Sequence, residues 1–424
     1  MVTKPITKEC EPMTNNKLLS SLLKMKIFRV VWFKIQENVL LLGVKPHKTG
    51  CRCPICDRRG IIINRLPESR YWDDIVFCGM RVVFVYTPCE ILCLTHGRVQ
   101  EQIPWAANYA RISYRLEYLV LLYCQIMTQK AAAKLLHLPQ STLFDILHGA
   151  IERLRSGHLI ADIKKLGIDE ILYHKGKKYA TIVYDLDSHC VVWVGEGKGR
   201  ETADRFFKEA LTEKQRKGIQ FASCDMSKAY LGAIEYWCPQ AILVIDRFHI
   251  VKALNEAMDS VRKEEWQKAE KEDKKALKGL RWLLFVHSKN RTKGDTRRLN
   301  AIKKSNYRIY RAWVLKDEFE VFWEYEYTGS AESFFNGWIT TALKSRLKPM
   351  MKFAMTLRRH AVHILPFIKT KLTNAISEGI NRIIKIVKNR ASGFRNLSSF
   401  ADMIFLTVGD VDIPAQIPEE FRTV

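Results

Sequence analysis

The chain has 424 residues, of which 47% are hydrophobic and 27% charged, an ordinary composition for a globular protein of more than one domain. Its formal net charge is +24, and so large a positive charge favours a polyanion as the binding partner. We expect no signal peptide, membrane anchor or spanning helix, because lysine, arginine and glutamate residues interrupt the apolar stretch Leu18–Leu42.

Residues 1–45 are a basic, amphipathic lead-in whose structure and task the sequence pattern leaves open. Residues 46–105 contain cysteine, glycine, proline and short β-type runs such as Arg81–Tyr86. This composition predicts a small β unit that is held together by a metal ion. Seven of the eleven cysteines lie before position 100, and this clustering favours a metal site over disulfides. Free thiols of this kind indicate a reducing compartment, so we expect the protein in the cytoplasm.

Two ligand pairs stand out in this unit, Cys53-x-x-Cys56 and Cys93-x-x-His96. Each spacing lets a tight turn direct both side chains at one ion, and four such ligands complete the tetrahedral shell of a structural Zn²⁺. Because that shell is closed, we expect no catalytic role for the ion. The alternative is that the cysteines are small buried apolar residues and His96 is a surface imidazole. Two further cysteines lie close enough in sequence to replace an assigned ligand: Cys51 and Cys89.

Residues 110–158 change to helical periodicity. Within them, Thr128–Leu147 has an alanine-rich helix, a short break and a second helix that begins near Pro139, which is the shape of a helix-turn-helix DNA-binding domain. Three polar residues at the exposed N-terminal end of the second helix are expected to contact base edges or phosphates: Gln140, Ser141 and Thr142. The alternative is an ordinary helical hairpin, which uses the same residue types.

Residues 163–250 contain short apolar runs separated by turn residues and at least one helix, which predicts an α/β core. The runs begin at Leu166, Ala180, Val191, Ile219 and Ala241. Asp169 and Asp225 each follow an apolar run, so we expect both at strand ends, where two acids can face one cleft. Carboxylate oxygens select Mg²⁺ or Mn²⁺. The alternative for each acid is a turn or a helix cap.

Residues 251–365 are typical of long, charged helices with aromatic stripes, and a final helix is predicted near residues 374–390. One face of that helix is apolar, with Ile376, Ile380, Ile383, Ile384 and Val387. The opposite face is polar, with Glu378, Arg382, Lys385 and Asn389. Glu378 is either a third metal ligand among phosphate-binding cations or a plain salt-bridge partner of Arg382, and periodicity does not decide between the two.

Taken in order, these pieces resemble the bacterial insertion-sequence transposases of the ISL-three family, which have a DDE catalytic domain. The resemblance runs from about residue 46 to the C-terminus. It rests on the zinc-ligand pairs and the helix-turn-helix, followed by a series of short motifs: Gly167-Ile-Asp-Glu170, Cys224-Asp-Met-Ser227, Asp246-Arg-Phe-His249, Trp338–Pro349, Asn374-x-x-x-Glu378-Gly-x-Asn381-x-x-x-Lys385 and Gly393-Phe-Arg-Asn396. Each motif is short, but their order makes the whole specific.

The resemblance implies an α/β fold, with an RNase H-like catalytic core and a large helical insertion, preceded by a zinc-binding β unit and a helix-turn-helix. The first part of the core would be residues 163–250, the insertion residues 251–365, and the C-terminal part of the core, with the glutamate helix, residues 366–424.

Position by position, Asp169, Asp225 and Glu378 match the catalytic triad of that family. Asp246 and His249 resemble an accessory pair, although His249 would equally suit a histidine packed at a strand-to-helix junction. This chain adds Glu170 beside the first acid, which makes an alternative ligand available.

The activity that the resemblance implies is DNA strand cleavage and strand transfer with two Mg²⁺ or Mn²⁺ ions. The expected partners are the terminal inverted repeats of an insertion sequence and a target DNA, bound by a homo-oligomer, with phosphates held by Arg382, Lys385, Lys388 and Arg390. Two other functions stay open: a DNA-binding regulator with a catalytically idle RNase H-like domain, and an RNase H-like nuclease without strand transfer.

Overall fold

The structure is a computed structural model that describes residues 15–22, 28–46, 51–156, 162–174, 176, 178–270, 274, 278–372 and 375–410. The chain divides into two compact units. The first comprises Met1–Leu159 and Val387–Val424, and the second comprises Ile160–Ile386. Among the helices in these ranges, none has the length and apolar character that crossing a membrane requires.

The N-terminal part of the first unit is built from one short helix, α1 (Asn15–Leu22), and two β-sheets. Its strands are β1 (Phe28–Gln36), β2 (Val39–Pro46), β3 (Ile61–Arg65), β4 (Arg70–Asp73), β5 (Arg81–Tyr86), β6 (Cys89–Cys93) and β7 (Gly97–Gln100). One sheet has the order β1-β2-β5-β4, and the other has the order β3-β6-β7.

The four-stranded sheet packs around Trp105, which is fully buried. Its ring is surrounded by Phe28, Trp72, Phe84 and Tyr86, with centroid separations from 4.8 to 6.1 Å. Because β2 pairs in parallel with β5, the lead-in predicted to end at residue 45 is part of the same sheet as residues 70–86. The predicted domain boundary therefore falls inside β2.

Three helices follow in the first unit: α2 (Tyr114–Ile126), α3 (Gln129–Leu135) and α4 (Gln140–Ser156). The side chain of Ser113 caps α2 by accepting the N–H of Leu116, and Thr128 caps α3 in the same way. The buried alanines of α3 allow close packing against α4. The second helix of the predicted pair begins at Gln140, directly after Pro139, as the sequence indicated.

The second unit contains a five-stranded sheet with the order β10-β9-β8-β11-β12. Its strands are β8 (Lys165–His174), β9 (Lys178–Asp185), β10 (Cys190–Glu196), β11 (Phe221–Cys224) and β12 (Ile242–Ile245). The strands β8, β9 and β10 are antiparallel, whereas β11 lies parallel to both β8 and β12. This is the strand arrangement of an RNase H-like core, and each predicted apolar run lies on or against one of these strands.

Helices surround the sheet and continue into a long insertion. Around the sheet lie α5 (Arg200–Arg205), α6 (Glu213–Gly218), α7 (Lys228–Trp237) and α8 (Arg247–Lys268), with a π-helical turn at Phe206–Ala210. The insertion contains α9 (Leu280–Phe285), α10 (Lys293–Ser305), α11 (Tyr307–Glu320), α12 (Thr328–Lys344), α13 (Lys348–Arg359), α14 (Ala361–Ile364) and α15 (Pro366–Thr370), with 3₁₀ turns at Ser288–Asn290 and Val321–Glu324.

The insertion shares one hydrophobic core with the sheet. A continuous cluster of buried side chains runs from strand residues such as Leu166 and Ala222 to insertion residues such as Phe335 and Phe367. Phe319 lies at the centre of the aromatic part, with ring contacts to Trp338 and Phe353 among others. The predicted aromatic stripes are therefore the packing surface by which the insertion is joined to the five-stranded sheet.

The last helices in the described part of the chain are α16 (Ala375–Arg390) and α17 (Leu397–Val408). The sequence predicted α16 but missed α17, which packs against α2 and α4 of the first unit. Residues from Val387 onward are grouped with the first unit, and the assignment of residues 366–424 to the catalytic core stays a prediction. The reason is the apolar face of α17, which is buried against these helices together with an ion pair between Asp402 and His148 (3.0 Å).

Arg390 explains part of this attachment. Its guanidinium donates to the carbonyl oxygens of Gln125 (2.7 Å) and Cys124 (3.1 Å) at the C-terminal end of α2. These carbonyls have no partner within their own helix, so the arginine caps it. Arg390 therefore has a helix-capping contact that the sequence did not predict, and its role in holding phosphates stays a prediction.

A buried ion pair joins the β-sheet of the first unit to α2. The Asp74 carboxylate is fully buried and binds the Arg115 guanidinium, which is nearly as buried, and it also accepts from Ser113. A neighbouring pair, Arg81 with Asp73, is more exposed. Removing one partner of a buried pair leaves an uncompensated charge, whereas an exposed pair contributes little.

We predict that Arg115→Ala lowers the free energy of unfolding by about 3–5 kcal/mol, because Asp74 would stay buried without its cation. The matched variant Arg81→Ala should cost about 0–1 kcal/mol. Urea denaturation followed by tryptophan fluorescence measures both. Equal and small losses for the two variants would contradict the structural role given to Asp74 and Arg115.

Candidate functional site

The first predicted acid, Asp169, lies inside a strand. The prediction placed it at a strand end, but β8 continues to His174, and Asp169 is paired across from Ile182 of β9. The strand continues because Ile171 and Tyr173 keep the alternation of buried side chains. The second acid, Asp225, follows β11 directly, as predicted, and its carboxylate accepts the N–H of Ser227 (2.8 Å).

The register of the sheet brings these two acids close together. In the parallel pair of β11 and β8, Ser223 lies opposite Gly167. Asp225 comes two residues after Ser223, and Asp169 comes two residues after Gly167, so extending this register directs the two acids to the same part of the sheet. The charge of Asp225 acts on Asp169, which agrees with their closeness. The sheet therefore positions two carboxylates side by side, although they are far apart in sequence.

The electrostatics of the site reflect this crowding. Burial raises the pKa of the Asp169 carboxyl above its ordinary value, and the charge of Asp225 acts in the same direction. The charge of His249 is the largest opposing influence. Burial also raises the pKa of Glu170, followed by the charges of Asp225 and Asp169. Three carboxyl groups thus lie in one region, and a cation bound there would stabilise their ionised forms.

The glutamate helix α16 reaches this region through Asn381. The Asn381 side chain donates to the Asp169 carboxylate (2.6 Å), and its carbonyl oxygen accepts the hydroxyl of the buried Tyr184. Asn381 follows Glu378 by three residues, so both lie on neighbouring positions of the same helix face. Sequence reasoning included Asn381 in a motif but did not assign it a role. The available signal was a polar residue inside the buried stripe of a helix.

Glu378 itself is exposed in the first turn of α16, where the helix dipole stabilises a carboxylate. Within the described part of the chain, Glu378 and Arg382 form no ion pair, so the structure does not have the plain salt bridge that was the alternative interpretation. Arg382 and Lys385 are also exposed on this helix.

The apolar face of α16 differs from the prediction at one position. The buried stripe contains Ser377, Ile380, Asn381, Ile384 and Val387, whereas Ile383 is 40% exposed. The stripe is rotated toward Asn381 because that residue has buried polar partners, which a pattern of apolar residues alone does not reveal.

Asp246 and His249 lie at the junction of β12 and α8. Asp246 caps α8 by accepting the N–H of Phe248 (3.0 Å), and it is buried. The His249 Nε2 atom is 3.8 Å from the Asp246 carboxylate. The charge of His249 lowers the pKa of Asp169. This imidazole therefore lies both at the junction of β12 and α8 and close to Asp169.

The predicted zinc ligands converge in the first unit. Ligand atoms of Cys53, Cys56, Cys93 and His96 all lie within 4.8 Å of one another. Three separations are 3.6 to 3.7 Å, close to the about 3.7 Å expected between two ligands of one tetrahedral zinc ion. Backbone N–H groups of Thr95 and His96 lower the pKa of Cys93 to about 6, which favours the thiolate.

Cys51 and Cys89 do not take part in this group. They are gathered in a second group with Glu101, also with ligand atoms within 4.8 Å of one another. The structure therefore separates the two cysteines that the sequence left as substitutes from the four assigned ligands.

The predicted DNA-contacting residues lie at the start of α4, where Gln140 and Ser141 are exposed and Thr142 is half-buried. A cavity of about 630 Å³ opens beside them and is also lined by Arg395 and Asn396 from the C-terminal segment. Arg395 is exposed. It lies in a motif noted in the sequence, but no role was predicted for it.

Comparisons with known proteins agree with this architecture. Residues 166–404 match the ISL3-type DDE family model described as "Transposase", and residues 101–150 match the model described as "Helix-turn-helix domain of transposase family ISL3". Among solved structures, a chain of the Drosophila P element transposase strand transfer complex is similar with a TM-score of 0.36 and 10% identity, over 72% of this chain and 92% of that chain.

Curated relatives extend over nearly the whole chain. The transposase for insertion sequence element IS1001 of Bordetella parapertussis is 30% identical over 398 residues, covering 92% of this chain and 97% of that protein. The transposase for insertion sequence element IS1557 of Mycobacterium tuberculosis is 25% identical over 394 residues, covering 87% of this chain and 88% of that protein. With a catalytic-domain match over more than half of its length and relatives that align almost end to end, the chain belongs to the ISL3 (ISL-three) family of transposases.

Proposed function

We propose that this transposase cuts and joins DNA at one centre, where Asp169, Asp225 and Glu378 hold two Mg²⁺ or Mn²⁺ ions. The observation that carries the proposal is the closeness of Asp169 on β8 and Asp225 directly after the adjacent strand β11, with Asn381 of α16 bound to Asp169. Because Asn381 is less than one turn beyond Glu378, this hydrogen bond supports a position of Glu378 on the side of α16 nearest the other two acids.

The residues fit divalent cations. Raised pKa values of Asp169 and Glu170 mean that a positive charge between them would stabilise the ionised carboxylates. Carboxylate oxygens are hard ligands and prefer Mg²⁺ or Mn²⁺. Divalent ions held by Asp169, Asp225 and Glu378 would supply Lewis-acid activation of a water or a DNA 3′-hydroxyl and stabilisation of the leaving oxygen. The part of the protein is to hold and orient these ligands.

Neighbouring side chains fix the orientation of the acids. Asn381 holds one oxygen of Asp169, and the Glu170 N–H binds the other (2.8 Å). We assign an accessory role to Asp246 and His249: Asp246 fixes the first turn of α8, and His249 brings a compensating charge toward Asp169. Glu170 is the alternative ligand from the sheet, and it would bind an ion together with Asp169 and Asp225.

The same proposal assigns DNA recognition to the helix-turn-helix, to helix α16 and to the segment that follows α16. The start of α4, with Gln140, Ser141 and Thr142, would read the terminal inverted repeats. Cations on α16, namely Arg382, Lys385 and Lys388, would hold phosphates, so binding should weaken steeply with salt. Arg395, which is exposed beside the cavity at α4, joins this set. We further propose that the protein acts as a homo-oligomer that pairs the element ends and captures target DNA.

Zn²⁺ bound by Cys53, Cys56, Cys93 and His96 would have a structural role. The ligand spacing fits a closed tetrahedral shell, which leaves no position for a substrate. Thiolate ligands of this kind persist in a reducing compartment, and we propose the cytoplasm.

We predict that Asp225→Asn abolishes Mg²⁺-dependent strand cleavage and leaves end binding intact. Losing a metal ligand removes several kcal/mol of transition-state stabilisation, equivalent to about a thousandfold in rate. Cleavage of a labelled inverted-repeat duplex and a gel mobility shift on the same DNA measure the two activities.

The matched control for this experiment is Asp187→Asn. Asp187 belongs to the same unit but forms an exposed ion pair with Lys165, so its variant should cleave within a few-fold of the wild type. Unimpaired cleavage by Asp225→Asn would instead favour a DNA-binding regulator with an idle RNase H-like domain.

We predict that Asn381→Ala acts through metal binding. Outer-shell partners of metal ligands typically contribute about 10–100-fold to affinity or activity, and Asn381 orients Asp169. The Mg²⁺ concentration that gives half-maximal cleavage should therefore rise by about this factor, with partial recovery at high Mg²⁺. Asn389→Ala, an exposed asparagine on the same helix, should leave the metal dependence unchanged. A reduced maximal rate with an unchanged Mg²⁺ dependence would contradict this role.

Strand transfer separates a transposase from a simple nuclease. We predict that the wild-type protein joins a pre-cut inverted-repeat end with a free 3′-hydroxyl to a plasmid target, and that Glu378→Gln reduces joining about a thousandfold. Glu213→Gln is the control, because Glu213 forms an exposed pair with Lys217. Cleavage without any joined product in the wild type would identify a nuclease, and full joining by Glu378→Gln would remove Glu378 from the centre.

A further inference from the structure

A second group of metal-ligating side chains lies in the zinc-binding part of the first unit. It consists of Cys51, Cys89 and Glu101, whose ligand atoms lie within 4.8 Å of one another. Cys89 and Glu101 are buried, and Cys51 is half-buried. No predicted function uses these three residues, so their assembly needs its own explanation.

This group is distinct from the Cys53, Cys56, Cys93 and His96 group. Cys89 and Cys93 lie at opposite ends of β6 and share its buried face, with the buried side chain of Ile91 between them. Four residues of extended strand span about 13 Å, far more than the separation of two ligands on one zinc ion. The spacing along β6 therefore leaves room for an ion in each group.

The charge of Glu101 indicates what this second group binds. Its side chain is only 3% exposed, and it accepts from the Tyr86 hydroxyl (2.9 Å) and the backbone N–H of Cys89. Within the part of the chain that the structure describes, no lysine, arginine or histidine forms an ion pair with it. A buried carboxylate is costly without a cation, and protein interiors meet that cost with an ion pair or a metal ion.

We propose that Cys51, Cys89 and Glu101 form a second zinc site. Two thiolates and one carboxylate suit Zn²⁺ and disfavour Mg²⁺. Three protein ligands leave one position of a tetrahedron, which a water molecule or the nearby Tyr86 hydroxyl would fill. The proposal is independent of the DNA chemistry, because it concerns the first unit alone.

The position of Glu101 gives this site a structural role. Its backbone N–H donates to the Cys89 carbonyl (2.9 Å), and the next residue, Gln102, donates to the Arg52 carbonyl (2.8 Å). The segment that begins here leads through the buried Trp105 into the helix-turn-helix, whose family match starts at residue 101. The ion would thus fix the point at which the chain leaves the β unit and enters the DNA-binding helices.

Zinc content of the full-length protein tests this proposal. After dialysis against Mg²⁺ with a weak chelator, elemental analysis should find two zinc ions per wild-type chain, one for each group. Glu101→Gln and Cys51→Ser should each retain one, and so should Cys53→Ser, which removes the other site. Cys78→Ser is the matched control, since this cysteine is exposed and outside both groups, and it should retain two.

Two results would overturn the second site. One is a wild-type protein with a single zinc ion that Cys51→Ser also retains. The other is a wild type with two ions, both retained by Glu101→Gln. This glutamine still accepts from Tyr86 and Cys89, so a loss of one ion with an unchanged circular dichroism spectrum would support the site even if a serine variant fails to fold. Cleavage activity is not read in this experiment, so its outcome does not depend on the catalytic proposal.

Discussion

The carboxylate of Asp169 is the constraint around which the second unit is arranged. It is fixed in the middle of a paired strand, beside Asp225 and close to Glu170, and backbone hydrogen bonds prevent the strands from separating. Burial and the neighbouring carboxylates disfavour the ionised form of Asp169. The charge of His249 and hydrogen bonds from the Glu170 N–H and from Asn381 favour that form. Such an arrangement is unfavourable for stability alone, and sites of this kind are usually functional.

The hydrogen bond from Asn381 closes a loop of 212 residues. Ordering so long a loop has an entropic cost that one hydrogen bond of about 1 kcal/mol does not offset. The compensation comes from the insertion, whose aromatic residues continue the core of the sheet without a break. Packing around Phe319 and Trp338 therefore has a functional consequence, because it holds the segments on either side of the insertion in the same unit.

Local pattern was enough to predict the five strands of the sheet, the helix-turn-helix and the four converging zinc ligands. Each of these depends on neighbours in sequence: apolar runs, a proline at a helix start, or two ligands three residues apart. Some features that the sequence missed depend on distant partners. Ile383 was placed on the buried face because nothing local showed that Asn381 binds Asp169 and Tyr184. Likewise, the capping role of Arg390 requires the end of α2, 265 residues away.

Two kinds of metal chemistry would have to coexist in this chain without exchange. The proposed zinc sites offer thiolates, which bind zinc far more strongly than magnesium, whereas Asp169 and Asp225 offer only oxygen. Zinc still binds oxygen ligands well, so ligand type alone does not protect the catalytic centre. Which ion occupies the carboxylates also depends on abundance. Mg²⁺ is the plentiful ion in cells, and the thiolate groups of the first unit compete for scarce zinc. Under this proposal, thiolates in one unit and carboxylates in the other would let the same protein use a permanent structural ion and an exchangeable catalytic one.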